Sequence, residues 1–142
     1  MREIKFRGKE ENSGEWVYGY YCRGGWIDPV SGIETPRHII HAEYLFDIDP
    51  DTLGQYTGLK DKNGKGIYEG DVLKTQFSST PFGIVTWHDN GYFFVDTSFG
   101  EWRRFSDGYI SIGDFMDKQL DGERVQLEVI GNIFDNQELL KK

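Results

Sequence analysis

A mainly β fold is predicted for this chain of 142 residues from three observations. Glycine fills 18 positions without a collagen period, roughly twice the usual ~7% and the mark of many tight turns. Aromatic side chains make up 15% of the residues, and aromatic and β-branched residues suit a pleated, half-buried surface. The apolar residues fall in short runs bounded by Gly, Pro, Asn and Asp, and no stretch keeps the 3.6-residue stripe of a long helix.

Taken in order, Ile4-Lys5-Phe6 alternates and predicts a first strand. Glu10 to Gly14 is a polar turn. Trp16, Tyr18 and Tyr20 share one face of the next strand, with Val17 and Tyr21 on the other, so that strand is expected to be covered on both sides. Gly24-Gly25 is expected to turn the chain back into Trp26-Ile27, and Pro36 to end any regular element there. Residues 37–46 fit either a strand or a helical turn, with strand the preferred reading. Asp47-Ile-Asp-Pro-Asp51 is acidic, contains Pro50, and predicts a boundary between a small N-terminal β lobe, 1–51, and a second region, 52–142.

That second region reads as an SH3-like β-barrel with a short C-terminal helix. Thr52 to Leu59 is a strand, Asn63-Gly64 is the tip of a hairpin, and Lys65 to Tyr68 returns, because both tip residues tolerate positive φ. Gly70-Asp71 turns into the strand 72–77. Residues 83–88 and 92–95 flank Asp89-Asn90-Gly91 and predict the clearest hairpin of the chain. Residues 102–105 and 109–112 are expected to form a further pair, and Asp114 to cap a helical turn reaching Leu120. Val125, Leu127 and Val129 alternate along another strand, and Asp135 is a candidate N-cap for a helix over 136–140. Strongly bent strands joined by such turns can close a sheet and remove its edges.

The net charge of −8 speaks against general nucleic-acid binding, which needs clustered Lys and Arg, and against an anionic membrane surface. No apolar run approaches the ~18 residues of a membrane span. Cys22 is the lone cysteine, so an internal disulfide is ruled out and a reducing compartment fits. With no signal-peptide pattern at the N-terminus, the expected location is the cytoplasm.

Candidate chemistry is sparse. On a helix His38 and His41 would share a face and could hold zinc together with Glu43, but on a strand the two histidines point to opposite faces. Asp47, Asp49 and Asp51 copy the start of a calcium loop, yet Thr52 stands where the turn glycine belongs and Gly58 where the bidentate glutamate belongs. Asp61 and Asn63 begin a similar loop that reaches Val72 at the glutamate position. Cys22, Ser98 and Ser106 lack the setting of a nucleophile, and Glu69 with Asp71 is better read as turn punctuation. The expectation is a non-enzyme with no metal and no cofactor.

The aromatics point elsewhere. Trp87, Tyr92, Phe94, Phe99 and Trp102, with Arg103 and Arg104, form a candidate interaction surface. Aromatic residues beyond what one small core accommodates imply a second packed lobe, a subunit interface, or stacking with single-stranded nucleic acid. A homo-oligomer is expected, together with an unidentified protein partner; nucleic acid is the less favoured partner, and no membrane role is expected.

Three blocks carry a family resemblance. They are Met1-Arg-Glu-Ile-Lys-Phe-Arg7; Gln55-Tyr-Thr-Gly-Leu-Lys-Asp-Lys-Asn-Gly-Lys65 with Ile67-Tyr-Glu-Gly-Asp-Val72; and Glu128-Val-Ile-Gly-Asn-Ile-Phe134 with Asn136, Glu138, Leu139 and Leu140. In this order they resemble the YopX family of uncharacterised phage and prophage proteins. Gly66 replaces the usual Glu and Gln137 the usual Pro, both at turn positions. The resemblance implies a small, mainly β phage accessory protein in a bacterial host, compatible with self-association and with an unidentified phage or host protein as partner, and it transfers no catalytic or binding residue. An alternative role is a regulator or decoy acting on host or phage nucleic-acid machinery.

Overall fold

A computed structural model describes residues 3–77, 81, 83–88, 92–96, 109–112, 119–120 and 122–140. By contact density the chain divides into two compact units, Met1–Tyr56 and Thr57–Lys142.

The first unit is built from β1 (Phe6–Glu10), β2 (Trp16–Ile27), β3 (Glu34–His41) and the first part of β4 (Leu45–Lys60). β1 pairs with β2 and β4, β2 with β3, and β3 with β4, all antiparallel. The ring of pairings closes a four-stranded β-barrel. Ile40 and Ile48 are buried on one face of that ring, whereas Ile39, next to Ile40 on β3, is buried on the opposite face, and Tyr56 is also buried. Gly8 faces Ile48 so closely that a Cβ there would lie 2.5 Å from Ile48 Cδ1, which is why a strand position lacks a side chain.

Between Arg7 and Lys9 the β1–β4 register jumps from Gly54 to Asp49. The extra residues of β4 form a bulge. Thr52 fills it: its hydroxyl accepts from the Lys9 amide at 2.8 Å and donates to the Asp49 carbonyl at 2.6 Å. Pro50 is tolerated here because a bulge leaves its missing N–H without a ladder partner. Residues 47–51 therefore lie inside β4, and the contact division falls between Tyr56 and Thr57.

Three expectations for this unit are corrected. β2 is not covered on both sides, since Tyr18 is 42% and Tyr20 69% exposed on the face they share. Gly24 and Gly25 do not turn; they stand mid-strand in β2, opposite Arg37 and Pro36. The turn lies further on, where Asp28 Oδ1 accepts the Val30 and Ser31 amides at 2.7 and 3.1 Å and Gly32 takes φ 72°. Nor does Pro36 end β3. It sits where β3 pairs with β2 alone, since β4 meets β3 only over Ile39–His41, and proline is compatible with such an edge.

In the second unit, β4 ends beside β5 (Gly66–Tyr68). A five-stranded antiparallel sheet follows, formed by β6 (Asp71–Thr75), β7 (Gly83–His88), β8 (Tyr92–Asp96), β9 (Tyr109–Ser111) and β12 (Leu127–Asn132) in the order β12-β6-β7-β8-β9. β10 (Gln119–Leu120) and β11 (Glu123–Arg124) make a separate small ladder. Ile67, Leu73, Val85, Ile112, Val125 and Leu127 are the buried core, flanked by Leu59, Phe77 and Val129. The predicted 83–88/92–95 hairpin is present, with His88 opposite Tyr92; its tip lies outside the described residues, as do residues 102–105 and most of the 114–120 turn. The expected C-terminal α-helix is instead a single 3-10 turn, Gln137–Leu140. The preceding residues are held in turns by Asn132 and Asn136, which leaves too few residues for a helical nucleus.

Candidate interaction surface

The Gln55–Val72 segment, rich in acids and amides, turns its polar groups onto its own backbone. Asp61 is buried, 7% exposed. Its Oδ1 accepts the Asn63 and Lys65 amides, each at 2.9 Å, and its Oδ2 accepts the Val129 amide at 3.0 Å. Gly64, at φ 81°, completes the tip by donating to the Asp61 carbonyl at 3.0 Å. Asp71 Oδ2 accepts the Tyr68 amide at 2.8 Å and so closes the Glu69-Gly70 turn.

The same residues join the second and third signature blocks. Lys62 N–H donates to the Leu127 carbonyl at 2.9 Å, Ile133 N–H to the Gly70 carbonyl at 3.0 Å, and Glu128 Oε2 lies 3.5 Å from both Lys62 Nζ and Lys74 Nζ. Asn132 Oδ1 accepts the Phe134 and Asp135 amides at 2.9 Å, and Asn136 Oδ1 accepts the Asn132 amide at 3.1 Å. Gly131 leaves room for that last acceptor: a Cβ there would lie 2.5 Å from Asn136 Oδ1. The first block reaches the start of the second, with Phe6 and Arg7 opposite Gln55 and Gly54 and the Tyr56 amide donating to the Lys5 carbonyl at 2.7 Å. The signature is thus a set of backbone-organising contacts.

The other candidate residues are placed as follows. His38 and His41 lie three apart on strand β3, so they face opposite ways. His38 Nδ1 is hydrogen-bonded to the Tyr21 hydroxyl at 2.6 Å and its ring stacks on Tyr21, whereas His41 is exposed. Asp47 binds Arg37 in a two-point fork, Oδ1 to Nε and Oδ2 to Nη2, both at 2.8 Å. The hydrogen bonds from Arg37 hold the Asp47 carboxyl below its ordinary range against the opposing effect of partial burial, with the guanidinium charge adding to the lowering. Asp49 Oδ1 accepts the Asp51 amide at 3.0 Å. No group of three or more His, Cys, Asp or Glu gathers as a metal site among the described residues.

Of the sequence-predicted interaction set, Trp87 is 42% exposed on β7, opposite Phe93. The backbones of Tyr92 and Phe94 lie on β8, opposite His88 and Thr86. Phe99, Trp102, Arg103 and Arg104 lie outside the described residues.

Two surfaces of the first unit escaped the sequence reading. One runs along β1 and β2, where the guanidinium carbon of Arg7, itself 4% exposed, lies 4.6 Å from the Trp16 ring centroid. Lys9 Nζ is 5.4 Å from the same ring and Lys5 Nζ is 6.0 Å from the Tyr18 ring; such pairs contribute about 0.5–1 kcal/mol each at exposed sites. The other is the distal β2–β3 hairpin. Every residue from Cys22 to Ile27 and from Pro29 to Pro36 is exposed. That stretch includes Trp26 at 54%, Ile27 at 62%, Val30 at 95% and Ile33 at 66%. β2 spans 12 residues but β1 only 5, pairing no further than Gly19, so the hairpin extends beyond the barrel with neither edge paired to a further strand among the described residues. The signal available in the sequence was Val30 and Ile33, two apolar residues beside a turn.

What these arrangements define is a mainly β protein that contains a closed four-stranded barrel and carries an apolar, uncovered hairpin. The chain belongs to the YopX protein family, whose model matches residues 5–141. Among solved structures it is similar to the crystal structure of protein EF1440 from Enterococcus faecalis, at 23% identity over 99% of this chain and 100% of that one, with a TM-score of 0.45. No curated protein matches it. No helix among the described residues is long and apolar enough to cross a membrane.

Proposed function

We propose that this is a non-enzymatic, phage- or prophage-encoded accessory protein of the bacterial cytoplasm that works as a self-associating interaction module. The observation that carries the reading is the β2–β3 hairpin, whose distal half exposes Trp26, Ile27, Val30 and Ile33. A lone two-stranded hairpin is marginally stable in water, and contiguous exposed apolar residues mark interaction sites. The polar residues best suited to chemistry support the non-enzymatic half, because Asp47, Asp61, Asp71 and Asn132 are engaged with backbone amides or a neighbouring guanidinium. For the second unit, the SH3-like reading is favoured by a sheet order that sets the last strand, β12, beside the first strand of a β6-β7-β8-β9 meander. Size-exclusion chromatography with light scattering tests self-association: a mass of two or more chains at micromolar concentration is expected, and a strict monomer removes the proposal.

A second reading, action on nucleic-acid machinery, is favoured by the Lys5 and Lys9 cations over Tyr18 and Trp16. A low-salt gel shift with single-stranded DNA and RNA tests direct contact, which is strongly salt-dependent where phosphates are neutralised. No shift discards it.

A further inference from the structure

We infer that a second copy of this chain pairs with the open edge of β2, antiparallel and about a two-fold axis at Gly24, forming a continuous β3-β2-β2′-β3′ sheet. The inference rests on the self-association reading and names the surface and register that serve it.

The alternation of the β2–β3 ladder defines the open edge. The Asp28 amide donates to the Ile33 carbonyl at 2.9 Å, which makes that pair the hydrogen-bonded kind. Stepping back through the register, Trp26–Thr35 and Gly24–Arg37 are hydrogen-bonded pairs, while Ile27–Glu34, Gly25–Pro36 and Arg23–His38 are not. The backbone groups of Arg23, Gly25 and Ile27 therefore point away from β3. β1 does not reach them, because its pairing with β2 stops at Gly19. On the other side of the hairpin, Pro36 sits at an outward-pointing position and has no N–H to offer. Proline is one of the devices that blunt an edge. Among the described residues the β3 edge is blunted and the β2 edge is left unpaired.

Charge selects the occupant and the register. Arg23 and Glu34 are exposed and make no ion pair or hydrogen bond among the described residues. The Glu34 carboxylate lies over Gly25, in the place where a Cβ of that residue would project. When β2 pairs with its own copy so that Arg23 lies opposite Gly25′, the Arg23 side chain is laid on the carboxylate of Glu34′. The two-fold repeats the contact, so each copy supplies one cation and one anion, as a self-complementary patch requires. The same register meets Gly24 with Gly24′ at the axis, where neither copy presents a side chain. It places Cys22 opposite Trp26′, so apolar groups of the two copies meet on the other face. A register two residues tighter would set Arg23 against Arg23′ and is disfavoured by like charge.

The test uses the full chain. Arg23→Glu and Glu34→Arg are each expected to raise the dimer dissociation constant about tenfold or more, since like charges are then opposed across the interface, and the double reversal is expected to restore dimerisation. Both positions are exposed, so unchanged circular dichroism serves as the folding control. In a Cys22→Ser background, Gly24→Cys is expected to form an intermolecular disulfide under mild oxidation, because facing residues of a non-hydrogen-bonded pair lie about 4.5 Å apart at Cα, within disulfide range. Wild-type Cys22 is expected not to cross-link. A monomeric wild-type protein overturns the self-association reading itself. An oligomer whose mass is insensitive to both single reversals, or one that cross-links through Cys22 but not through Gly24→Cys, overturns this surface and register while leaving self-association standing.

Discussion

Replacing Asp61 tests the scaffold role of the signature segment. Its two oxygens accept three backbone amides, those of Asn63, Lys65 and Val129, from a position 7% exposed. Hydrogen bonds to a charged group contribute about 1.5–3 kcal/mol each, and a buried donor left without a partner costs about 1–3 kcal/mol. The contributions do not add in full, because Asn63 and Lys65 are exposed tip residues whose amides water can reach once the carboxylate is gone. The Val129 amide, on the half-buried β12 strand, is harder to satisfy. Asp61→Ala is therefore expected to cost about 3–4 kcal/mol. Asp61→Asn keeps the shape but must aim its NH2 at an N–H in either amide orientation, and is expected to cost about 2–3 kcal/mol. Urea unfolding followed by tryptophan fluorescence gives the comparison. With a slope of about 2 kcal/mol/M the midpoint should fall by about 1–2 M at unchanged slope. An Asp61→Asn protein within about 0.5 kcal/mol of wild type, the scatter of ordinary surface substitutions, would refute the reasoning.

Gly8→Ala forces a methyl to 2.5 Å from Ile48 Cδ1 and is expected to destabilise the barrel by about 1–3 kcal/mol; adding Ile48→Val removes that methyl and should recover part of the loss in the same unfolding assay. Gly131→Ala crowds the Asn136 oxygen that accepts the Asn132 amide, so it should lower the melting temperature about as much as Asn136→Ala, with little further loss in the double variant. Asp47 is expected to titrate below an ordinary aspartate by carboxyl NMR, and Arg37→Ala should move it back up. Because the folded-state pKa is the depressed one, the fork's contribution is present at neutral pH and lost as pH falls through that value. The contribution is expected to be small, since both side chains are about two-fifths exposed.

Much of the fold was legible where a local rule acts alone. The Asn63-Gly64 tip follows from the need for positive φ at Gly64, and the 83–88/92–96 pairing follows from alternation on both sides of a turn. Gly24-Gly25 read as a turn because a glycine pair carries the same letters whether it serves rotation or close approach. At Gly25 the cause is the Glu34 carboxylate lying over it, a neighbour nine positions away in sequence that only the strand register reveals. Pro36 and Pro50 were read as stops because proline forbids an inner ladder position; whether a position is inner depends on where β4 begins and ends its pairing, which is a tertiary fact.

The place of the exposed apolar hairpin was not legible in the sequence. Aromatic excess pointed to an interface, but exposure of Trp26 and Ile33 results from β1 being shorter than β2, and no local pattern encodes which partner strand stops first. Asp61 illustrates the converse. Its acidic, amide-rich setting resembles the start of a cation loop, but Val129, 68 positions on, supplies an amide to its second oxygen. Only the pairing of the distant blocks turns a potential ligand into a structural acceptor.

The most direct test of the central claim, that the uncovered hairpin is the working surface of a self-associating module, is the solution mass of the wild-type chain beside that of a Trp26→Ser, Ile27→Ser variant. Both side chains are exposed, so the variant should keep the wild-type fold by circular dichroism. Light scattering is expected to give a mass of two or more chains for the wild type and a single chain for the variant. A monomeric wild type, or a variant with undiminished mass, would contradict the account.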